Sequence, residues 1–386
     1  MVRLVRSGKS MHQVAAQFRV SVSVVARWVD RAADRRLDRV DFSDRPPGCA
    51  QGWNRVSRSI ERRIVELRRS LREQSILGEY GATAIRVALR TDTGSSTPSI
   101  ATINRVLARQ GLQDAARHTR RVAPPPGWYL ASVAAGEAEL DSFDLIEELK
   151  IANGPLLWVL NATSLHGGLV DSWPLEQATA KRVFECVLAR WRREGLPAYA
   201  QFDNGTQFQG AHQFADAVGR VSRLCLALGV IPVFAPPREP GFQNAIEGFN
   251  GLWQAKVWQR SNFKDVAQVK AASARYVSAH RARSCARRER APKRRALPRN
   301  FSLNLSAKLQ GTMIFLRRTD EHGRAHLLGQ RFEICANWPH RLVRCEVEFT
   351  QQRIRFYALR RRDPADQPLL HEIPYQREHK RFYGAI

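Results

Sequence analysis

Four carboxylates in the middle of the chain have the types and spacings from which metal-dependent chemistry can be built. Asp203 closes an apolar run, Tyr199-Ala-Gln-Phe-Asp203-Asn-Gly-Thr-Gln-Phe208. Glu247 lies inside Pro240-Gly-Phe-Gln-Asn-Ala-Ile-Glu247-Gly-Phe-Asn250, with forty-three residues between it and Asp203. Upstream, Asp141 and Asp144 share Glu139-Leu-Asp141-Ser-Phe-Asp144. A lone surface acid is ordinarily just solvated. Two acids at strand ends, with a glutamate opening a later helix, can instead cage a pair of Mg²⁺ ions. Such a pair activates a water or hydroxyl and stabilises the leaving oxygen of a phosphodiester. Asn204 and Asn250 flank two of these acids and can orient them, as such sites require. Asp141 and Asp144 stand three apart in one expected strand, so they point to opposite faces and only one can meet Asp203.

The elements that must carry these residues read as an α/β order. Strands are expected over 140–146, 156–162 and 168–173. A helix over 178–191 follows, with Val183, Phe184, Val187, Leu188 and Trp191 on one stripe. A strand over 199–203 ends at Asn204-Gly205, a strong turn signal. Residues 214–228 read as helical and 231–235 as a fifth strand, before a Pro-rich loop and the helix bearing Glu247. On that helix Ile246, Phe249, Trp253 and Val257 form the apolar face, leaving Glu247 to turn toward the other acids. His166, beside two glycines, reads as a turn residue rather than a base.

Asp203-Asn-Gly-x-x-Phe208 and Pro-x-x-Gln-Asn-x-x-Glu247-x-x-Asn250 resemble the second and third signatures of the DDE transposases and retroviral-type integrases. Leu157-Trp-Val-Leu-Asn-Ala-Thr-Ser-Leu-His-Gly-Gly168 resembles the paired strands that follow the family's first aspartate. The interval between Asp203 and Glu247 is longer than is usual there. The resemblance spans residues 126 to 275 and implies a ribonuclease-H-like core, with Asp141, Asp203 and Glu247 as catalytic metal ligands. It implies two Mg²⁺ ions, for which Mn²⁺ can substitute. Gly136-Glu-Ala-Glu-Leu140 resembles the family's entry to its first acid and favours Asp141 over Asp144, although Asp144 has the better apolar flanks. The implied activity is cleavage of element ends and strand transfer into double-stranded target DNA, by at least a dimer. The alternative is a non-catalytic DNA-binding regulator, or a decayed transposase that keeps the fold.

Charge divides the chain in agreement with this. The whole has 62 Lys+Arg against 36 Asp+Glu. Residues 1–125 hold 24 basic and 11 acidic residues, residues 126–275 hold 14 and 15, and residues 276–386 hold 24 and 10. A near-neutral middle between basic flanks suits a polyanionic partner and salt-sensitive binding. Ser10 can cap a helix with Met11, Val14, Ala15 and Phe18 on one face; a short break leads to a second helix carrying Val24, Val25, Trp28 and Val29. This reads as a helix-turn-helix over 1–45, with Ser21, Ser23 and Arg27 toward the major groove, Trp28 as its core anchor and Arg19 at a left-handed turn. A second helix-turn-helix-like set is expected over 55–115, with Thr102 and Arg105 toward DNA. The stretch 41–48 reads as a linker and 120–126 as a stiff passage.

Beyond the core, 281–299 holds nine Lys or Arg in nineteen residues. It forms a basic linker over 276–305 with Arg287, Arg288, Lys293, Arg294 and Arg295 as DNA contacts. Alternating segments from 311 onward suggest a small β-barrel over 306–375. The fold expected is therefore multidomain: all-α helix-turn-helix modules, an α/β ribonuclease-H-like core and a C-terminal small β-barrel. Six scattered cysteines without a Cys-x-x-Cys pair indicate neither a zinc site nor a disulfide framework. No apolar run reaches membrane-spanning length, and the expected location is the bacterial cytoplasm, at the nucleoid.

Overall fold

A computed structural model describes residues 1–43, 56–93, 97–114, 125–210, 214–239 and 241–377. Most of the stretches expected to link the modules, 44–48 and 120–124, lie outside them. The chain divides into two units, Met1–Arg62 and Arg63–Ile386.

In the first unit, α1 (Val2–Arg6), α2 (Met11–Phe18) and α3 (Val22–Ala32) bury Val14, Ala15 and Val25 between them. Ser10 and Gln13 form a reciprocal capping box at the start of α2, which satisfies two backbone donors. Arg19 ends α2 at φ 54°, a left-handed turn that costs a non-glycine residue about 1 kcal/mol. Trp28 packs with Val2, Ala32 and Val40 and meets the Phe42 ring at 5.8 Å, so it serves the core.

The second unit is entered by α4 (Arg58–Gln74), α5 (Ala82–Thr93) and α6 (Ile100–Arg109). Ile64, Leu67, Ile85, Leu89, Ile103, Val106 and Leu107 are buried. After the short α7 (Ala131–Ala134), three strands run antiparallel: β1 (Leu140–Lys150), β2 (Leu156–Ser164) and β3 (Val170–Leu175). Next come α8 (Ala180–Glu194), β4 (Tyr199–Phe202), the single turn α9 (Thr206–Gln209), α10 (Arg220–Ala227) and β5 (Ile231–Phe234). β4 pairs parallel to both β1 and β5. The helix of Glu247, α11 (Asn244–Trp253), is followed by α12 (Val266–Arg283) and α13 (Cys285–Glu289). Three strands, a helix, a strand, a helix, a strand and further helices is the expected order. The helix expected over 214–228 begins only at Arg220.

The C-terminal strands depart from expectation. β6 (Thr312–Arg318), β7 (Arg324–Leu327), β8 (Gln330–Glu333), β9 (Leu342–Glu348), β10 (Arg353–Ala358) and β11 (Leu369–Pro374) do not form a detached barrel. β6 pairs parallel to β5, so one nine-stranded mixed sheet runs β11-β10-β9-β6-β5-β4-β1-β2-β3, with β7 and β8 as a separate hairpin. The reason is physical. β5 would otherwise be an open edge of unpaired N–H and C=O groups, which β6 satisfies. Stacking of Phe234 on Phe315 at 5.1 Å then carries the core from one half of the sheet into the other. Each buried ring of this kind contributes about 1.5–3 kcal/mol.

The long interval between Asp203 and Glu247 has a structural use. Residues 214–219 bring in Asp216, whose carboxylate accepts from Gln330 Nε2 at 2.7 Å and from the Tyr375 hydroxyl. Its backbone N–H donates to Leu328 O at 2.9 Å, and Arg377 Nε donates to its carbonyl at 2.8 Å. No helix among the described residues is long and apolar enough to cross a membrane.

Because β5 and β6 share one core, truncation after Leu305 should yield an aggregating chain without a cooperative melt. A soluble 63–305 fragment with a sharp thermal transition would contradict the continuous sheet.

Candidate active site

Pleating decides which acids meet. Along β1 alternate residues face opposite sides, so Phe143 turns into the core beneath α8 with Asp141 on the same side. There Phe143 stacks on Phe202 of β4 at 5.3 Å, and both lie in the cluster containing Trp191. The parallel register sets Ser142 beside Gln201, and the Ser142 hydroxyl donates to Gln201 Oε1 at 3.2 Å on the other face. Asp144 and Asp203 each directly follow one of the stacked phenylalanines, so the pleat returns both to the Ser142 and Gln201 face.

Asp144 is half-buried there. Asn250 Nδ2 donates to its Oδ2 at 2.7 Å, and Asn161 Nδ2 donates to Asn250 Oδ1 at 2.8 Å. Asn161 lies directly opposite Asp144 in the β1/β2 register. Burial, then the Asp203 charge, then Glu247 and Glu147 push the Asp144 carboxyl up to about 7. Every charge named there is negative. Asp203 accepts from Gly205 N–H at 2.9 Å, which shapes the turn after β4. Asn204 Nδ2 donates to Ala235 O at 2.7 Å, and Arg317 Nη2 donates to Asn204 Oδ1 at 2.9 Å. Glu247 is exposed in the first turn of α11, which buries Ile246, Phe249, Asn250 and Trp253 against the core.

Asp141, the expected first ligand, is not in this group. It is fully buried, and both its oxygens are bound on the far side of β1. Arg190 Nε and Nη2 reach it at 3.0 and 3.1 Å, Arg294 Nη1 and Nη2 at 2.9 and 2.7 Å, and Trp191 Nε1 at 3.1 Å. Burial alone would raise its pKa, but the two guanidiniums overturn that and hold the carboxyl well below the usual carboxylate range. A carboxylate saturated by two cations has no lone pair free for a metal.

The three facing carboxylates supply hard oxygen donors of the kind Mg²⁺ takes. Their mutual repulsion, which adds to burial in raising Asp144, is what a divalent cation would relieve. Among the described residues no three His, Cys, Asp or Glu side chains stand close enough to enclose an ion. The group is therefore an open, one-sided set, with Glu247 on its exposed side.

The expected DNA contacts divide. Ser21, Ser23 and Arg27 are exposed on or beside α3, with the two serine hydroxyls 2.8 Å apart. Arg105 is exposed on α6, while Thr102 is half-buried and its hydroxyl lies 3.0 Å from that of Ser99, the cap of the same helix. Of the five expected contacts in the basic linker, Arg287, Arg294 and Arg295 donate to groups of the core domain, Arg287 and Arg295 while staying exposed. Arg287 Nε donates to His166 O at 2.6 Å and Nη2 to Leu165 O. Arg294 holds Asp141 and Gly195 O, and Arg295 donates to Leu228 O and Gly229 O at 3.1 and 2.8 Å. Gly195 and Leu228 are the C-caps of α8 and α10, whose unpaired carbonyls attract basic side chains. Arg288 and Lys293 are exposed too, and among the described residues Arg288 reaches only Cys285 Sγ of its own helix. His166 is a turn residue, its Nε2 lying 2.9 Å from Val133 O.

Sequence reading missed Asn161, Arg190 and Arg317. A usable signal existed for the choice between the aspartates, since Phe143-Asp144 and Phe202-Asp203 repeat the same core-then-acid pair.

Among solved structures the chain is similar to the catalytic core domain of BIV integrase, at 21% identity over 34% of this chain and 79% of that one, with a TM-score of 0.27. A chain of the simian T-cell lymphotropic virus intasome in complex with PP2A regulatory subunit B56 gamma matches at 12% identity, 67% of this chain, 87% of that one and TM-score 0.32. The HTLV-2 integrase catalytic core domain in complex with magnesium, in its trimeric form, matches at 12%, 36%, 81% and 0.26. No protein-family model and no curated protein matches the sequence.

The two aspartates of β1 should behave oppositely on substitution. Asp141→Ala leaves the buried Arg190 with Asp171 as its one remaining carboxylate partner among the described residues and takes from Arg294 its carboxylate partner, and should cost about 3–5 kcal/mol of stability. Asp144 has its folded pKa raised above the unfolded value of about 3.9, so the folded state keeps a proton that the unfolded state has lost. Its contribution therefore falls as pH rises from about 4 through 7. Asp144→Asn should melt above wild type at pH 8, with the gap closing toward pH 4. Thermal melts across this range in the absence of divalent cations check both expectations.

Proposed function

We propose that this protein is a DNA transposase or integrase of the DDE class, and that Asp144, Asp203 and Glu247 are its metal-binding carboxylates. The observation that carries the reading is the placement of Asp144 and Asp203 on one sheet face with Glu247 on the exposed side of α11, where burial, then the Asp203 and Glu247 charges, raise the proton affinity of Asp144. The signatures around Asp203 and Glu247 supply the reaction class.

Mg²⁺ held by these acids, alone or as a pair with Mn²⁺ able to substitute, supplies Lewis-acid activation of the attacking oxygen and neutralises the phosphodiester. The protein's part is placement. Asn161 fixes the Asn250 amide, and Asn250 fixes Asp144 from the side away from solvent. The Asn204 bond to Ala235 O pins the turn that presents Asp203. Glu247, on the open side of α11, completes the set when a cation draws it in. Cleavage of an element end and attack of the freed 3′-hydroxyl on target DNA are both in-line displacements and can use the same three acids. Two ends joined to one target require at least two copies of a chain with one such site.

Double-stranded DNA is the partner. The net charge of +26 resides in the flanks of the chain and supports salt-dependent binding. The exposed Ser21, Ser23 and Arg27 of the N-terminal helices and Arg105 of α6 are the proposed reading surface, with Arg288 and Lys293 as backbone contacts. Thr102, Arg287, Arg294 and Arg295 take structural roles in this reading.

Labelled element ends incubated with Mg²⁺ or Mn²⁺ test the proposal. Asp144→Asn, Asp203→Asn and Glu247→Gln should each cut turnover by at least about 100-fold, while retaining end binding in a gel-shift assay. Wild-type turnover in any of the three would remove that residue from the site. Arg27→Ala should weaken end binding and flatten its salt dependence without changing cleavage of DNA once bound.

A further inference from the structure

Arg317 is buried among neutral partners. Its side chain lies on β6, 7% exposed, yet no carboxylate among the described residues is within ion-pair distance. Arg190 and Arg68, buried to a similar degree, each pair with an aspartate. The Arg317 guanidinium instead donates only to neutral oxygens. Nε reaches His326 O at 2.9 Å, Nη1 reaches Leu316 O at 2.8 Å and Ala235 O at 3.4 Å, and Nη2 reaches Asn204 Oδ1 at 2.9 Å. Withdrawing a cation from water without a counter-charge is costly, and carbonyl dipoles recover only part of that cost.

What the arrangement achieves is a joint. Ala235 O receives both Arg317 and Asn204 Nδ2, so arginine, amide and carbonyl close a triangle. The triangle ties β6, the end of β5 and the turn that begins at Asp203. It also leaves the Asn204 amide a single orientation, oxygen toward the cation and nitrogen toward the carbonyl. The His326 contact extends the joint to β7. A residue more than a hundred positions downstream thus holds the neighbour of Asp203.

We propose that Arg317 is a positioning residue for the Asp203 turn, so that the carboxylate site depends on the C-terminal half of the sheet for its shape. This rests on the functional reading above for its Mn²⁺-binding and activity readouts.

The experiment compares wild type, Arg317→Gln, Arg317→Lys and Val347→Ala in the full chain. Val347 is buried on β9 and serves as a control that loosens the same half of the sheet. Hydrogen exchange is followed over 203–209, Mn²⁺ binding by electron paramagnetic resonance, and end cleavage as kcat and KM. Arg317→Gln should speed exchange in the turn and weaken Mn²⁺ binding by about 10- to 100-fold. It should lower kcat by a similar factor, leave KM for DNA within about two-fold, and be partly rescued in Arg317→Lys. Val347→Ala should lower the melting temperature and leave the turn and Mn²⁺ affinity unchanged. Wild-type exchange and Mn²⁺ affinity in Arg317→Gln, or equal losses in Val347→Ala, would overturn the proposal. If wild type neither binds Mn²⁺ nor cleaves, the functional reading fails, and exchange over 203–209 alone decides whether Arg317 positions the turn.

Discussion

The buried ion cluster beneath β1 is the constraint on which the second unit depends. Asp141, Arg190 and Asp171 form its centre, with Arg294, Arg193, Arg281 and Glu194 around them. These residues come from β1, β3, α8, α12 and the basic linker, so one polar network joins five segments distant in sequence. Burial of Asp141, Arg190 and Asp171 at its centre makes each of those charges expensive alone and strongly dependent on its partners. The network therefore rewards only the arrangement in which all five segments are in place. It also explains why Arg294 is docked although it lies in a strongly basic stretch. A cation with a buried, doubly accepting carboxylate within reach gains more from it than from water.

This cluster and the three facing carboxylates are separated by one layer of backbone and have opposite electrostatic character. On the α8 side every acid is matched by guanidinium groups. On the α11 side acid meets acid, and the supports are the neutral amides Asn161 and Asn250. The strand keeps the two apart by its pleat alone, since Asp141 and Asp144 differ by three positions. In the proposed function, stability and chemistry are thereby assigned to different faces of β1, Asp141 to the first and Asp144 to the second.

The sheet joins what composition would divide. Pairing of β6 with β5, the Asp216 contacts to β8 and the chain beyond β11, and the Arg317 joint all cross between the central strands and the C-terminal ones. The extra length between Asp203 and Glu247 supplies one of these links.

Much of this was legible in the residues themselves. The order of strands and helices, the Ser10 cap, the left-handed Arg19 and the positions of Asp203 and Glu247 follow from local pattern, because periodicity, capping and turn chemistry act over a few residues. The C-terminal strands could be read individually, but their partner could not, since pairing with β5 depends on an edge formed eighty residues earlier. The exposed or docked state of Arg287, Arg294 and Arg295 was equally invisible, because nothing near them in sequence reports the helix C-termini and the buried Asp141 that capture them. Spacing alone showed that Asp141 and Asp144 must part ways. Which one met Asp203 was decided by the register of β1 on β4 and by the stack of Phe143 on Phe202, contacts between residues sixty positions apart that exist only once the sheet has formed.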